Sequence, residues 1–298
     1  MGGLAALYQK EGFVVRERVP LSKYTTLRVG GPARVMIFPR NYWELLRGLA
    51  LAEALGEPVF FLGGGSNLVV RQGGLPGVVL NMRGLTNFHH LGQGLIEAEA
   101  GVPLSRLLSF CQKEGLSGLE FLAGVPATIG GAVAMNAGAF GQEIKDVLKE
   151  IVVLHQGHLR VYKVDDLPFG YRFWGGPQGA LIVKCLFQLV PCSPERVQHN
   201  LADYLARRHK TQPLNAFTAG CVFKNPPEAP AGFLIESVGL KGFTLGRAAF
   251  SKKHANFIVN HGGATADEIL ALIDWAKEKV FRAYGIELFE EVAVVGEA

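Results

Sequence analysis

The sequence has few cysteines and few charged side chains, and each shortage argues against a class of protein. Only 4 of the 298 residues are cysteine, and none of them forms a C-x-x-C pair, so zinc and dithiol redox motifs are unsupported. Charged residues make up 19% of the chain, below the usual share of about 25%. The net charge of +4 is spread out, and no basic stripe contains interleaved aromatic residues. We therefore expect no nucleic-acid partner.

The chain also lacks the segments that direct a protein into a membrane. Residues 1–13 do not combine a basic stretch with an apolar one, so we expect no signal peptide. Residues 121–142 carry no charge over 22 positions, but they include five Gly, six Ala and Pro126. We interpret them as a buried or ligand-facing loop region instead of a transmembrane helix. The expected location is the cytoplasm, with no membrane partner.

Glycine is the residue in excess. The chain has 38 Gly in 298 residues, about 13% against an average near 7%. Hydrophobic residues make up 49%, which excludes a disordered chain, and the glycines have no three-residue period, which excludes collagen. We expect the extra glycines where the backbone turns tightly or lies close to a ligand.

The pattern of apolar residues predicts a mixed α+β fold. Predicted strands lie at residues 33–38, 58–62, 78–81, 94–100, 151–154, 159–164, 181–189 and 291–295. Predicted helices lie at residues 41–55, 103–114, 193–209 and 232–238. A last helix follows Thr265, because Glu268 completes a capping box there. Its predicted apolar stripe consists of Ile269, Leu272, Ile273, Ala276, Val280 and Phe281.

Two glycine-rich segments are candidates for a cofactor site. Residues 63–67 (GGGSN) follow a predicted strand, and three glycines let successive N–H groups turn toward one anion. No Gly-Lys-Ser/Thr follows, and the chain continues as an extended run instead of a helix, so neither a Walker loop nor a Rossmann fingerprint is present. Residues 124–141 form the second segment. A glycine-rich turn at a strand end would explain the first segment, and close packing of small residues would explain the second. Both together fit an extended cofactor such as FAD.

Three further residues are candidates for chemistry, each with a plainer alternative. Arg172 lies between predicted strands and would suit a carboxylate or phosphate, although a surface arginine is the simpler interpretation. Cys221, taken alone, is more often structural than catalytic. Glu291 lies in an apolar C-terminal segment, where alternation places it on the face opposite Glu290 and Val292. A buried acid there would need a partner.

The combination of motifs resembles the UDP-N-acetylenolpyruvoylglucosamine reductases. The motifs are LGGGSN (62–67), GVPATIGGAVAMNAGAFG (124–141), GYR (170–172), AGCVFKNP (219–226), GLKG (239–242) and ELFEEV (287–292), in the family's order. Only residues 173–179 separate Arg172 from the next predicted strand, so the chain resembles the shorter, second type of the family.

The resemblance implies a fold and a division into domains. It implies an α+β FAD-binding domain of the p-cresol methylhydroxylase/vanillyl-alcohol-oxidase type in two α+β subdomains, plus a C-terminal α+β substrate-binding domain. The first subdomain is expected at residues 1–77 together with the strand at 287–298. The second is expected at 78–191, and the substrate-binding domain at 192–286.

The resemblance also implies a reaction of peptidoglycan precursor synthesis. NADPH reduces FAD, and hydride then passes from flavin N5 to C3 of the enolpyruvyl group of UDP-N-acetylglucosamine enolpyruvate. A proton added at C2 completes UDP-N-acetylmuramate. The expected partners are these small molecules alone, with no metal, and the protein is expected to be a monomer.

The family's site residues carry over to particular positions of this sequence. The implied catalytic residues are Arg172 and Glu291, which would stabilise the charge on the substrate, and Cys221, which would donate the proton. The implied cofactor-binding residues are Gly63, Gly64, Gly65, Ser66, Asn67, Gly124, Val125, Pro126, Thr128, Gly130 and Gly131. The implied substrate-binding residues are Tyr171, Asn225 and Lys241.

Two departures from the family's pattern leave alternatives open. Cys221 stands where most members have serine, and a thiol with a reference pKa of about 8.5 is still protonated at neutral pH. Ala293 stands where an arginine is common, two residues after the implied catalytic acid. One alternative is a flavin oxidase of the same superfamily, and the other is a nucleotide-sugar-binding relative that has lost the reaction.

Overall fold

A computed structural model describes residues 3–298, and these contain seven α-helices and eighteen short strands. The helices are α1 (Leu4–Lys10), α2 (Tyr42–Ala54), α3 (Leu104–Glu114), α4 (Ile129–Ala134), α5 (Pro194–Thr211), α6 (Ala231–Ser237) and α7 (Ala266–Tyr284). Short 3₁₀ turns occur at Leu21–Lys23, Met82–Gly84, Glu120–Leu122, Ile144–Val147 and Val164–Asp166.

The strands are short, and several consist of only two or three residues. In the N-terminal part they are β1 (Val15–Pro20), β2 (Pro32–Ile37), β3 (Val59–Leu62), β4 (Leu68–Val70), β5 (Leu75–Asn81), β6 (Phe88–Gly92) and β7 (Leu95–Glu99). The middle of the chain adds β8 (Leu116–Ser117), β9 (Gly138–Ala139), β10 (Gln142–Glu143), β11 (Leu148–His155), β12 (His158–Lys163), β13 (Leu181–Gln188) and β14 (Val190–Pro191). The C-terminal part adds β15 (Thr244–Leu245), β16 (Ala248–Phe250), β17 (Ile258–Asn260) and β18 (Ala293–Val295).

Local sequence signals explain where the longer helices begin and end. The Asn41 side chain accepts a hydrogen bond of 2.9 Å from the backbone N–H of Glu44 and thereby caps α2. The capping box of Thr265 and Glu268 is present at the start of α7. Both α3 and α7 end at a left-handed glycine, Gly115 and Gly285. The helices predicted at residues 41–55, 103–114, 193–209 and 232–238 are confirmed within two residues at each end, and the last helix begins after Thr265 as predicted.

The chain divides into two compact units. The first unit comprises residues 1–15, 37–64 and 80–208, of which the structure describes those from Gly3 onward. Its main sheet has five antiparallel strands in the order β12-β11-β13-β7-β6. Apolar residues of this sheet, including Ile96, Ile151 and Cys185, form one core with Leu104 and Leu107 of α3. Strands β7 and β13 of this sheet also contact α4, so the sheet helps to position the second glycine-rich segment.

The second unit comprises residues 16–36, 65–79 and 209–298. Strand β16 lies between β15 and β17, and β18 pairs in parallel with β4. The predicted apolar face of α7 is buried in this core, with the exception of Phe281, which is 59% exposed. The prediction that Phe281 belongs to the buried stripe is therefore wrong, because the last turn of α7 extends beyond the core.

Two sequence-based expectations differ from the structure in detail. The uncharged residues 121–142 are not loop throughout, since they contain α4, a helix of 6 residues. The C-terminal strand begins at Ala293, two residues later than predicted, so Glu291 precedes it.

No helix among residues 3–298 has both the length and the apolar character needed to cross a membrane. The predicted division into three domains stays a prediction. The two compact units are defined by contacts between residues, and these contacts do not show which part binds the cofactor or the substrate.

Candidate active site

The first two glycines of the GGGSN loop pack against the second glycine-rich segment, within the first unit. A Cβ atom added at Gly63 would lie 2.7 Å from the Oγ1 atom of Thr128. A Cβ added at Gly64 would lie 3.4 Å from both the Pro126 carbonyl oxygen and the Thr128 nitrogen. The two predicted cofactor segments therefore lie side by side, and their contact requires glycine at Gly63.

The Thr128 hydroxyl at this contact has no partner within residues 3–298. Thr128 is 3% exposed, and its Oγ1 atom is buried without a hydrogen bond. Gly131 also faces this atom, since a Cβ added there would lie 3.4 Å from it. Buried hydroxyl groups normally have a partner, so this atom is a natural contact for a bound polar group. A cradle of backbone and small side chains around an orphaned hydroxyl fits the FAD that the sequence predicts.

Gly130 is needed for packing within the fold, unlike the glycines that face the Thr128 hydroxyl. Its N–H donates to the Ala100 carbonyl oxygen at 2.8 Å, and the Ile129 N–H donates to the Val102 carbonyl oxygen at 2.9 Å. A Cβ at Gly130 would lie 2.7 Å from the Ala100 Cβ atom. The amides at the start of α4 are therefore engaged in the fold, and Gly130 serves close packing instead of donating to an anion.

The remaining residues of the GGGSN loop lie in the second unit. Gly65 has a φ of +66°, and an added Cβ would lie 2.0 Å from the Tyr24 carbonyl oxygen. The Asn67 side-chain amide donates to the Glu291 carbonyl oxygen at 3.0 Å, and the Ala293 N–H donates to the Asn67 carbonyl oxygen at 2.9 Å. Asn67 therefore connects the loop to the segment that holds the predicted acid, and Ser66 next to it is half-buried.

Arg172 lies beside the end of the second glycine-rich segment, in the first unit. Its Nη2 atom donates to the Gly138 carbonyl oxygen at 3.4 Å, and its guanidinium lies 4.8 Å from the centre of the Tyr171 ring. The backbone of Arg172 has a φ of +57°, which is unusual for a residue with a side chain. The buried Asn136 side chain donates to the Gly170 carbonyl oxygen at 3.0 Å and fixes this turn.

Glu143 is a carboxylate near Arg172 that the sequence analysis did not single out. Partial burial alone would raise the pKa of Glu143, but hydrogen bonds from Lys145 and Asn136 and the charges of Lys145 and Arg172 together lower it. Glu143 is thus an anion at neutral pH. It balances part of the charge of Arg172 while leaving the arginine beside the Gly138 carbonyl.

The second unit brings the segments of Cys221 and Glu291 together. The Glu291 N–H donates to the Val222 carbonyl oxygen at 2.7 Å, and the Lys224 N–H donates to the Phe289 carbonyl oxygen at 2.9 Å. Cys221 itself pairs across an isolated bridge with Phe257 and is half-buried. The predicted proton donor and the predicted acid therefore lie on two adjacent, hydrogen-bonded segments.

Asn256 is a second residue that the sequence analysis missed. It is 2% exposed, its Oδ1 atom accepts from the Phe223 N–H at 2.9 Å, and its Nδ2 atom donates to the Phe223 carbonyl oxygen at 2.8 Å. The Val222 N–H donates to the Asn256 carbonyl oxygen at 2.8 Å. Asn256 thus fixes the chain just after Cys221. A polar residue between apolar neighbours in residues 254–259 was the available signal.

The two neighbours of Glu291 have partners within the second unit. Glu290 makes an ion pair of 2.5 Å with Lys277 of α7, and Val292 is buried in the core of the second unit. Glu290 and Val292 thus both contact other parts of the second unit, and the placement of Glu291 on the opposite face stays a prediction.

The two predicted substrate-binding residues of the second unit are engaged in local bonds. The Asn225 Oδ1 atom accepts from the Ala231 N–H at the start of α6, at 3.0 Å. Lys241 makes an ion pair of 2.8 Å with Glu236. Burial, and to a smaller extent the charge of Lys241, lower the pKa of His254, so this histidine is neutral at pH 7. Lys241 would have to exchange Glu236 for a diphosphate to bind it.

The structure thus forms three groups of predicted residues. In the first unit, Gly63 and Gly64 join the segment around Thr128, and Arg172 joins its other end at Gly138. In the second unit, Asn67, Cys221 and Glu291 belong to one hydrogen-bonded set of segments. Asn225 and Lys241 each bond within their own neighbourhood. Among residues 3–298, no group of three His, Cys, Asp or Glu side chains could hold a metal ion.

Comparisons with known proteins define the class of protein first. A family described as "FAD binding domain" matches residues 33–161, the range that contains both glycine-rich segments. The chain is an FAD-dependent oxidoreductase, and the predicted cofactor FAD and the predicted fold class are confirmed.

Further matches identify the family. The family described as "UDP-N-acetylenolpyruvoylglucosamine reductase, C-terminal domain" matches residues 212–295. The reductase of that name from Syntrophus aciditrophicus is 43% identical over 93% of this chain and 91% of its own length. The one from Synechococcus is 44% identical over 95% of this chain and 91% of its own length. The crystal structure of the Thermus caldophilus enzyme has 39% identity and a TM-score of 0.83, covering 95% of this chain and 99% of that one.

These similarities confirm the resemblance inferred from the motifs. The chain belongs to the UDP-N-acetylenolpyruvoylglucosamine reductase family.

Proposed function

We propose that this protein reduces UDP-N-acetylglucosamine enolpyruvate to UDP-N-acetylmuramate with electrons from NADPH. The observation that carries the proposal is the pairing of residues 222–224 with 289–291, because it joins the segments of Cys221 and Glu291. The names of the relatives, which are similar over more than nine tenths of the chain, support the same reaction.

The cofactor would be held by the cradle around Thr128. Gly63, Gly64 and Gly131 allow close approach to its hydroxyl, and the hydroxyl itself is available as a hydrogen-bonding group. Bound FAD would supply two-electron chemistry, accepting a hydride from NADPH and reducing the enolpyruvyl group at C3. The residues of the chain have to bind the substrate, stabilise charge and supply a proton.

Arg172 would stabilise the charge that develops on the substrate. Addition of hydride at C3 leaves negative charge at C2, which spreads into the adjacent carboxylate as an enolate. A guanidinium binds a carboxylate through two parallel hydrogen bonds. Contacts with the Tyr171 ring and the Gly138 carbonyl oxygen would help to orient Arg172 toward the charge as it forms.

Cys221 would donate the proton that completes the reaction. The S–H bond breaks as the C2–H bond forms, and the resulting thiolate takes a proton from water before the next turnover. A thiol is a stronger acid than the serine hydroxyl that the family's pattern implies at this position, so the replacement would preserve the chemistry. Glu291 would stabilise the same developing charge by donating a hydrogen bond from its carboxyl group.

The uridine diphosphate would bind at Asn225 and Lys241. Lys241 offers a point charge for the diphosphate once it leaves Glu236, and Asn225 lies at the start of α6. The other proposed properties are a monomeric state, a cytoplasmic location and NADPH as the reductant.

Cys221→Ala tests the proposed proton donor, because the two halves of the reaction respond differently to it. Reduction of the flavin by NADPH is expected to keep its rate, since no proton at C2 is involved. Product formation is expected to fall at least about a hundredfold, the usual contribution of a positioned acid. Stopped-flow absorbance of the flavin measures the first step, and chromatography of the product measures the second.

Cys192→Ala is the matched control, because Cys192 is also a half-buried free cysteine. Its Sγ atom donates only to the neighbouring Ser193 carbonyl oxygen, at 3.6 Å. This variant is expected to turn over like the unmodified protein. Normal product formation by Cys221→Ala would contradict the assignment of the proton donor.

A further inference from the structure

A half-open cavity of about 480 Å³ lies within the second unit, and none of the predicted site residues lines it. Its walls come from the segment after β1 and from the residues around β17. They include Ser22, Lys23, Arg28, Phe217 and Asn260. The volume exceeds that of a single small ion, so the cavity has room for an ion or for a group that carries one.

The buried side chain of Asn260 connects two walls of this cavity by hydrogen bonds. It is 3% exposed, and its Nδ2 atom donates to the Leu27 carbonyl oxygen at 2.9 Å. Its Oδ1 atom accepts from the N–H groups of Gly262 and Ala264, at 2.8 and 3.0 Å. One buried side chain thereby holds both the segment around Arg28 and the turn before α7, so the two walls have a fixed position.

Arg28 is held over an aromatic ring at the edge of the cavity. Its guanidinium carbon lies 3.7 Å from the centre of the Phe217 ring, a stacking distance. Its backbone has a φ of +56°, a conformation that residues with side chains rarely adopt. Stacking orients the guanidinium plane and leaves its N–H edge available to a ligand.

The lining of the cavity is positive and includes unpaired donors. Within residues 3–298, the side chains of Ser22, Lys23 and Arg28 make no hydrogen bond or ion pair. Within the described part of the chain, the residues that line the cavity include no Asp or Glu to offset the two cations. Two cations and a hydroxyl in a concave surface concentrate anions.

We propose that this cavity binds the phosphoryl group of a small molecule. A phosphoryl dianion matches the two positive charges of Lys23 and Arg28, and the arginine can donate two parallel hydrogen bonds to it. Ser22 supplies a third donor. A carboxylate carries only one charge and leaves one cation unmatched.

Titration of the FAD-loaded protein with inorganic phosphate tests this site. The melting temperature is expected to rise saturably with phosphate, beyond the rise in sodium chloride or sodium acetate of equal ionic strength. Arg28→Gln and Lys23→Gln are each expected to weaken phosphate binding about tenfold, the usual effect of losing one charge-assisted hydrogen bond. Lys279→Gln removes an exposed cation that does not line the cavity, and it is expected to bind phosphate normally.

Equal responses to phosphate, acetate and chloride, or equal phosphate binding by all four proteins, would overturn the proposal. Retained flavin absorbance and near-ultraviolet circular dichroism show that the variants are folded. Because binding is measured without turnover, a negative result leaves the proposed reaction intact, and a failure of the proposed reaction leaves this result intact.

The kinetics of NADPH and NADH distinguish two sources of the phosphoryl group, and this comparison rests on the proposed function. If the cavity takes the 2′-phosphate of NADPH, Arg28→Gln raises the KM for NADPH about tenfold and leaves the KM for NADH unchanged. If it takes a free phosphate or another phosphorylated molecule, the ratio of the two KM values stays as in the unmodified protein. Either outcome agrees with phosphoryl binding and identifies its source.

Discussion

At the scale of single residues, one missing side chain decides whether the two glycine-rich segments can meet. The contact between Gly63 and the Thr128 hydroxyl leaves no room for a methyl group, and the hydroxyl is buried without a partner. The sequence identified both residues as cofactor-binding candidates. It could not show that they face each other, because 64 intervening residues separate them and no local pattern encodes that distance.

Gly63→Ala is expected to weaken FAD binding while the protein still folds. The added Cβ would lie 2.7 Å from the Thr128 Oγ1 atom, so one of the two segments has to move. Overpacking of this kind costs about 1–3 kcal/mol, which corresponds to a rise of about five- to 150-fold in the dissociation constant for FAD. Fluorescence titration of the apoprotein with FAD measures it.

Gly3→Ala is the control for this substitution, because a Cβ at Gly3 meets no atom within 4 Å. It is expected to bind FAD like the unmodified protein. Unchanged FAD affinity in Gly63→Ala would show that the cofactor does not depend on this contact.

Three asparagines that the sequence analysis did not single out share a physical character. Asn136, Asn256 and Asn260 are nearly or fully buried, and each bonds backbone groups far away in the sequence. Their role depends on which backbone groups the fold brings near them. A buried amide that satisfies such groups is visible only in three dimensions, whereas a charged residue in a motif is visible in the sequence.

At the scale of elements, the helices were predictable because their signals are local. Caps, boxes and apolar stripes specify α2, α3 and α7 within a few neighbouring residues. The short helix α4 was not predicted, because glycine and alanine give it no apolar stripe. The late start of β18 was also missed, since its parallel pairing with β4 connects residues that are distant in the sequence.

The packing of α1 against α2 predicts how stability depends on pH. The buried Tyr8 hydroxyl of α1 donates to the Gly48 carbonyl oxygen of α2 at 2.9 Å. Burial, and to a smaller extent the charge of Glu57, raise the pKa of Tyr8 from 10.0 to about 12. Between these two pH values, the Tyr8 hydroxyl therefore stays protonated in the folded state but is ionised in the unfolded state. This contribution to stability is complete below pH 10 and is lost as the pH rises toward 12.

Tyr8→Phe is expected to separate the two effects. At pH 7 it should lower the free energy of unfolding by about 1 kcal/mol, the net value of one hydrogen bond. Between the pKa of Tyr8 in the unfolded state and its pKa in the folded state, the free energy of unfolding should fall by about 2 kcal/mol more in the unmodified protein than in the variant. The difference should therefore shrink and reverse sign. Urea unfolding at several pH values measures it, and a difference independent of pH would contradict the role of the hydroxyl.

At the scale of the whole molecule, two compact units each have their own apolar core. The excess of glycine has two explanations. Glycines such as Gly115 and Gly285 end helices in the left-handed conformation. Those at residues 63–64 and 131 instead give close access to Thr128. Composition alone could not separate these two uses, and only the second bears on FAD.

The central claim is that electrons pass from NADPH through bound FAD to the enolpyruvyl sugar. The most direct test is an anaerobic titration of the purified holoenzyme, followed by the visible absorbance of the flavin. We predict that NADPH bleaches the flavin, that UDP-N-acetylglucosamine enolpyruvate restores the absorbance, and that one UDP-N-acetylmuramate forms for each flavin reoxidised. Bleaching by a simple alcohol or amine, or no recovery with the enolpyruvyl sugar, would contradict the account.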